Sequence, residues 1–185
     1  MPLKKDFRRI FREKRRHITD KSEKDRMICE NILQSDLYKH SRQVLCYYPL
    51  EAEIDTRAVI RCALKDRKRL ALPYCTDENG SMDFYYINSI NQLKTGLFGI
   101  MEPDIEICEK VSDFRNSVCL VPGYSFDMLG YRLGYGKGYY DRFLKKFTII
   151  SIGLCYNNFL SNELPADDYD AAVNFIATED KLISL

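Results

Sequence analysis

The apolar positions of this chain follow two periods. Leu3, Phe7, Ile10 and Phe11 recur at helical spacing and predict a first helix whose stripe packs on the domain. Behind Thr19 and Asp20, residue types that cap helix N-termini, Met27, Ile28, Ile32 and Leu33 predict a second helix reaching about Tyr38. Short apolar runs then alternate with helices. Residues 43–48 and 69–73 read as strands around an amphipathic helix at 56–66, which starts behind Asp55 and Thr56. Residues 117–121 and 148–154 read as strands bracketing a helix from about Tyr139 to Lys146, and 173–178 as a last strand. Residues 74–98 break the alternation, and only 82–87 reads as a short antiparallel strand.

Buried, β-branched strands alternating with helices predict an α/β fold: a mostly parallel sheet with helices on both faces, a Rossmann-like three-layer arrangement in a single domain spanning 1–185. Val118 to Val121 run into Pro122 and Gly123, a loop at the carboxyl end of a strand, where parallel sheets place ligands.

Composition narrows the function. With 45% hydrophobic and 30% charged residues the chain is globular and not disordered. A formal net charge of +1 gives no global support for binding nucleic acid or an anionic membrane, so an anion site has to be local. The seven cysteines are odd in number and form no C-x-x-C pair; Cys46, Cys119 and Cys155 sit inside apolar runs as small buried hydrophobes, which fits a reducing cytoplasm. His17 and His40 lie in charged segments and read as surface residues, leaving no zinc ligand set. The Arg-rich start has the look of a mitochondrial presequence, but Asp6 and Glu13 count against it, and no continuous apolar stretch follows to make a signal peptide or a membrane span.

The candidate chemistry concentrates in residues 130–144, GYRLGYGKGYYDRFL. Gly134, Gly136 and Gly138 let backbone N–H groups adopt an anion-binding nest, and a helix starting behind them adds its unpaired N–H groups. Arg132 and Lys137 supply full charges. Asp141 is repulsive beside a phosphate unless a cation such as Mg²⁺ lies between them. The Walker pattern fails because Gly138 follows Lys137, and the dinucleotide fingerprint fails because the third glycine comes one residue early. A flexible linker is the competing reading, but Tyr131, Tyr135, Tyr139, Tyr140 and Phe143 are costly to leave in water. Lys4, Arg8, Arg12 and Arg15 share one helical face, for which a solvated flank is the simplest reading.

Residues 121–144, VPGYSFDMLGYRLGYGKGYYDRFL, resemble the signature of the 5-formyltetrahydrofolate cyclo-ligase family, also called 5,10-methenyltetrahydrofolate synthetase. Lys4 and Arg8, EAEIDT at 51–56, GIMEP at 99–103 and ATED at 177–180 fall where that family has counterparts, so the resemblance covers nearly the whole chain. It implies ATP-dependent closure of 5-formyltetrahydrofolate to 5,10-methenyltetrahydrofolate, releasing ADP and phosphate. The γ-phosphate moves onto the formamide oxygen, a poor leaving group made good, and N10 closes the ring.

The resemblance also implies roles. ATP would meet Lys4, Arg8 and the run from Arg132 through Leu133, Gly134, Tyr135, Gly136, Lys137, Gly138 and Tyr139 to Tyr140. The folate would meet Tyr48, Glu53 and, with less warrant, Glu102, together with the same loop from Tyr135 to Tyr139. Lys137, Arg132 and Tyr139 would act in catalysis. Mg²⁺ would lie on Asp141 and a downstream acid, placed at Asp170 by aligning on ATED; family members often have His and Asp where Tyr169 and Asn174 stand, and Asp167 and Asp168 stay open as alternatives. The expected partner is the small-molecule folate, with no nucleic acid or membrane, and a monomer is the expected state. Two other readings remain: a nucleotide- or RNA-binding module using the basic helix and loop tyrosines, and a folate-binding protein of the same fold without catalysis.

Overall fold

The computed structural model describes residues 4–185, apart from the side chain of Phe98; Leu3 of the predicted apolar stripe lies outside the described residues. Helix α1 (Lys4–Arg16) leads into α2 (Lys21–Gln34) and the short α3 (Asp36–His40). The expected single helix to Tyr38 is therefore broken. Ser35 leaves helical geometry at φ −69° and ψ 150°, and its hydroxyl accepts from Tyr38 N–H to start α3. Asp20 precedes α2 at φ 56° with no side-chain cap, its carbonyl accepting from Lys24 N–H instead.

The central sheet joins β1 (Gln43–Leu45), β2 (Arg69–Cys75), β3 (Met82–Ile87), β6 (Ser117–Val121), β9 (Ile150–Leu154), β11 (Phe175–Ala177) and β12 (Leu182–Ser184) in the order β12-β11-β9-β6-β1-β2-β3. Five neighbouring strands are parallel, and the two edges, β3 on β2 and β12 on β11, are antiparallel. Residues 82–87 thus form the expected antiparallel strand, while β12 follows the strand expected to be last. Each residue of β6 is buried, as a strand covered on both faces requires. At Gly153 a Cβ would lie 2.3 Å from the Phe126 ring, so β9 is glycine where that ring crosses it.

From β1 the chain steps to β2 through α4 (Arg57–Lys65), and from β6 it steps the opposite way to β9 through α5 (Tyr139–Lys146). Right-handed crossovers leaving in opposite directions put α4 on one face and α5 on the other. Val59, Ile60 and Ala63 are the buried face of α4, and Phe143 of α5 packs on Phe84 of β3 at 4.8 Å. The strand order reverses between β1 and β6, so a crevice opens beyond their carboxyl ends.

A second small sheet brings the glycine loop to that crevice. β7 (Ser125–Asp127) pairs with β8 (Arg132–Leu133) and with β10 (Leu160–Ser161). The buried Asp127 carboxylate accepts from Leu129 N–H at 3.0 Å, Tyr131 N–H at 2.9 Å and Leu164 N–H at 3.0 Å, fixing the turn from which β8 leaves. Between β3 and β6, β4 (Leu93–Thr95) and β5 (Met101–Pro103) form a separate hairpin that packs on β2.

Candidate active site

Four segments converge on the crevice: the loop after β1, the loop after β6, the glycine loop between β8 and α5, and one face of α1. The glycine loop is shaped by conformation and by a close approach. Gly136 has φ +104° and Gly138, which immediately precedes α5, has φ +73°. A Cβ on Gly136 would sit 3.3 Å from Arg8 Cζ, and the Arg8 Nε donates to Gly134 O at 2.8 Å. Arg8 therefore lies under the loop and braces it from α1. Lys137 is exposed at the loop's crest, while its carbonyl accepts from Arg142 at 2.7 Å.

Glu53 forms the opposite wall. Only 7% of the residue is exposed, and its Oε2 accepts from Leu50 N–H at 2.9 Å. Burial raises its pKa above the ordinary carboxylate value, opposed by the hydrogen bond from Leu50 N–H, by the nearby Tyr135 hydroxyl and by the charges of Arg15 and Lys21. Tyr135 of the glycine loop meets Tyr124 of the loop after β6, ring centres 4.7 Å apart. Tyr140, at the start of α5, turns its hydroxyl into the interior, where that atom has no hydrogen-bond partner.

Tyr139 and Glu102 meet at the carboxyl end of β2. The Tyr139 hydroxyl donates to Asp77 O at 2.6 Å, and its pKa is pushed up to about 12, chiefly by burial and then by Cys75. Glu102 is buried at 3% exposure and accepts from Cys75 N–H at 3.0 Å. Gly96 makes room for it, since a Cβ there would fall 1.9 Å from Glu102 Oε2. Tyr48 is half-buried, and among the described residues no hydrogen bond joins it to the glycine loop.

The acidic positions are linked through Ala171. Asp141 Oδ1 accepts from Ala171 N–H at 3.1 Å, Asp141 Oδ2 lies 3.0 Å from Arg132, and Arg132 donates to Ala171 O at 3.3 Å. Asp170, the next residue upstream, accepts Lys4 at 2.5 Å, and Asp167 accepts the same ammonium at 2.7 Å. Among the described residues no group of three or more His, Cys, Asp or Glu could hold a metal. Asp141 and Asp170 nevertheless suit Mg²⁺, a hard ion that takes one or two carboxylates and completes its shell with phosphates and water. Each acid now faces a cation of the chain itself.

Arg132 and Leu133 lie deeper than a nucleotide contact suggests. The Arg132 side chain is 4% exposed, and Leu133 is buried with its carbonyl taken by Tyr124 N–H at 2.7 Å. Arg15, read as part of a solvated flank, is 8% exposed and points inward. Its spacing from Arg8 was the visible signal; that it points inward depended on where α1 docks, through Phe11 on Phe159 at 5.9 Å. His17 and His40 are exposed and Cys46, Cys119 and Cys155 are buried, as their flanking residues indicated.

Residues 1–179 match the sequence pattern of the 5-formyltetrahydrofolate cyclo-ligase family. The chain belongs to that family. It is 26% identical over 171 residues to the probable 5-formyltetrahydrofolate cyclo-ligase of Schizosaccharomyces pombe, covering 84% of each chain. Its fold matches the 5,10-methenyltetrahydrofolate synthetase of Aquifex aeolicus at a TM-score of 0.85 and 32% identity, over 100% of this chain and 93% of that one. The Mycoplasma pneumoniae 5,10-methenyltetrahydrofolate synthetase shares the fold at a TM-score of 0.76 and 20% identity, over 96% of this chain and 99% of that one. The chain is an enzyme, a ligase like the named members of its family. Among the described residues no helix is long and apolar enough to cross a membrane.

Proposed function

We propose that this chain catalyses the ATP- and Mg²⁺-dependent cyclisation of 5-formyltetrahydrofolate to 5,10-methenyltetrahydrofolate, releasing ADP and phosphate in the cytoplasm. The observation that carries the reading is the placement of the Arg8-braced glycine loop and the buried Glu53 carboxylate as two walls of one crevice, tied by Arg15 on Ala52 O and Tyr124 O and by the Tyr124–Tyr135 ring contact. A pterin presents amino and ring N–H donors, and an ionised Glu53 is the acceptor that suits them. Tyr135 and Tyr139 flank the ring, with Tyr48 and Glu102 at its margins.

The backbone N–H groups of residues 134–138 and the Lys137 ammonium hold the transferring phosphoryl group, Arg8 braces that loop, and Lys4 completes the cationic side. The formyl oxygen takes the γ-phosphoryl group as ADP leaves. N10 then bonds to the formyl carbon, the carbon–oxygen bond breaks with release of phosphate, and N10 gives up its proton. The enzyme's share is alignment of N10 with the formyl carbon and charge stabilisation at the phosphate. Mg²⁺ held by Asp141 and Asp170 would neutralise phosphate oxygens that these carboxylates otherwise repel. Arg132 positions Asp141 from below.

The test uses the near-ultraviolet absorbance that methenyltetrahydrofolate has and the 5-formyl compound lacks. Purified protein, 5-formyltetrahydrofolate and MgATP are expected to give growth of that band, dependent on ATP. Folate binding without growth would favour a non-catalytic folate-binding protein, and no folate binding would overturn both.

A further inference from the structure

Arg15 lies outside the set of residues to which the reaction gives a role, yet it is the side chain that ties the crevice together. From the last turn of α1 its guanidinium donates to Ala52 O at 2.7 Å, in the loop after β1, and to Gly123 O and, at 3.4 Å, Tyr124 O, in the loop after β6. These are the two loops of the strand-order reversal. Ala52 directly precedes Glu53, and Tyr124 is the ring that meets Tyr135. The guanidinium carbon lies 5.3 Å from the Tyr124 ring centre and within 5.8 and 5.9 Å of Tyr156 and Phe159, an aromatic seat that fixes its plane. Its Nε is buried with no hydrogen-bond partner.

A buried guanidinium is costly, and among the described residues no carboxylate comes within ion-pair distance of Arg15. The planar fork of the guanidinium reaches carbonyls of both loops at once, which neither an apolar side chain nor a single donor can do. Its field acts on Glu53 and on Tyr135. The other groups facing Glu53 are Lys21 of α2, whose ammonium donates to Glu53 O at 2.7 Å, Tyr135 of the glycine loop, Tyr47 after β1 and Tyr140 of α5.

We infer that Arg15 is a positioning residue of the folate subsite: it clamps the β1 and β6 loops at a fixed separation and so sets the Glu53 carboxylate where the donor face of a pterin can meet it. The inference rests on the proposed folate reading of Glu53. It gives Arg15 two separable properties, the fork that reaches carbonyls on both loops and the charge that acts on Glu53.

The experiment is equilibrium binding of 5-formyltetrahydrofolate, without nucleotide, to wild-type, Arg15→Gln and Arg15→Lys proteins from mildly acidic to mildly alkaline pH, with melting temperatures recorded. Arg15→Gln is expected to weaken binding about tenfold or more, the cost of losing hydrogen bonds from a charged donor. Its acidic limit of binding should move to higher pH, because Glu53 loses a cation that favours its charged form. Arg15→Lys should keep the wild-type acidic limit while binding several-fold more weakly, since it retains the charge and loses the fork. Ile32→Val, a fully buried change in α2, serves as a stability control and should move neither quantity. Wild-type affinity and acidic limit in Arg15→Gln would overturn the inference whatever the melting temperature, as would equal shifts in Ile32→Val. Should Arg15→Gln not fold, Arg15→Lys decides: wild-type affinity there shows the fork to be dispensable. Failure of the wild-type protein to bind the folate would instead remove the reading of Glu53 on which the inference stands.

Discussion

The Arg132 guanidinium lies 3.0 Å from Asp141 Oδ2 with 4% of the arginine side chain exposed, so the acid expected to meet a metal is also half of a buried ion pair. Removing one partner of a fully buried pair costs about 3–5 kcal/mol, because the other charge is left alone. Arg132→Met leaves Asp141 at 19% exposure with Ala171 N–H still donating to it, so it is expected to lower stability by about 1–3 kcal/mol, read by denaturant unfolding. A loss under about 1 kcal/mol would show that the pair is open to water.

The metal assignment is read from the Mg²⁺ dependence of the rate at a temperature where the variants stay folded, because Asp141→Asn also leaves Arg132 without its counter-charge. Asp141→Asn keeps an oxygen for Ala171 N–H but loses the charge that Mg²⁺ needs, so the Mg²⁺ concentration for half-maximal rate should rise several-fold. Asp170→Asn should do the same, as Ala171 bridges the two positions, and Asp168→Asn should not. Initial rates titrated with Mg²⁺ decide it. An unchanged requirement in Asp141→Asn removes the metal from that site, and a shift in Asp168→Asn alone moves the second ligand.

Lys137 is exposed at the crest of the glycine loop, so Lys137→Ala should leave the melting temperature within the scatter of surface substitutions. A charge directed at a transferring phosphoryl group is worth about 2–4 kcal/mol of barrier. Turnover should fall by at least about tenfold. Wild-type turnover would make the residue a bystander.

Glu53→Gln separates stability from binding. The folded-state pKa of Glu53 is raised by burial, so the native state holds its proton to higher pH than the unfolded chain. Stability from this group is greatest below the ordinary glutamate value of about 4.3 and falls as pH rises through the raised one. The Gln variant should thus melt above wild type at neutral pH, with the difference vanishing toward acid. Its folate affinity should drop while ATP affinity holds. Loss of ATP affinity instead would put Glu53 in the wrong subsite.

The elements whose periodicity is set by burial were legible in the sequence. Val118 to Val121 reads as a covered strand because both faces are buried, and Val59, Ile60 and Ala63 outline α4 for the same reason. The break between α2 and α3 was not, because Ser35 is a permissible helix residue whose capping role depends on its φ and ψ. The small sheet carrying β8 was hidden in strands of two or three residues, too short for a pattern. For the site, glycine spacing and charge pointed to the loop, and the resemblance supplied Glu53. The inward turn of Arg15 and the coupling of Arg132 to Asp141 depend on docking between distant segments, which local spacing does not encode.

Two glycines of one loop should respond differently to the same change. Gly136 has φ +104°, where an L-residue is strained, and its new Cβ would press on Arg8 Cζ at 3.3 Å. Gly134 lies outside the left-handed region, and its nearest neighbour would be Arg132 Nε at 3.7 Å, an ordinary contact. Gly136→Ala should cost about 1–2 kcal/mol of stability from the backbone alone. It should also push Arg8 off Gly134 O and weaken nucleotide binding by about tenfold, the loss of one charged hydrogen bond. Gly134→Ala should stay within about 0.5 kcal/mol of wild type. Nucleotide titration and thermal unfolding of both variants test the pair. Equal tolerance would mean that the loop is not held by Arg8, and equal damage would mean that the whole glycine run, and not the Gly136 conformation, sets the phosphate site.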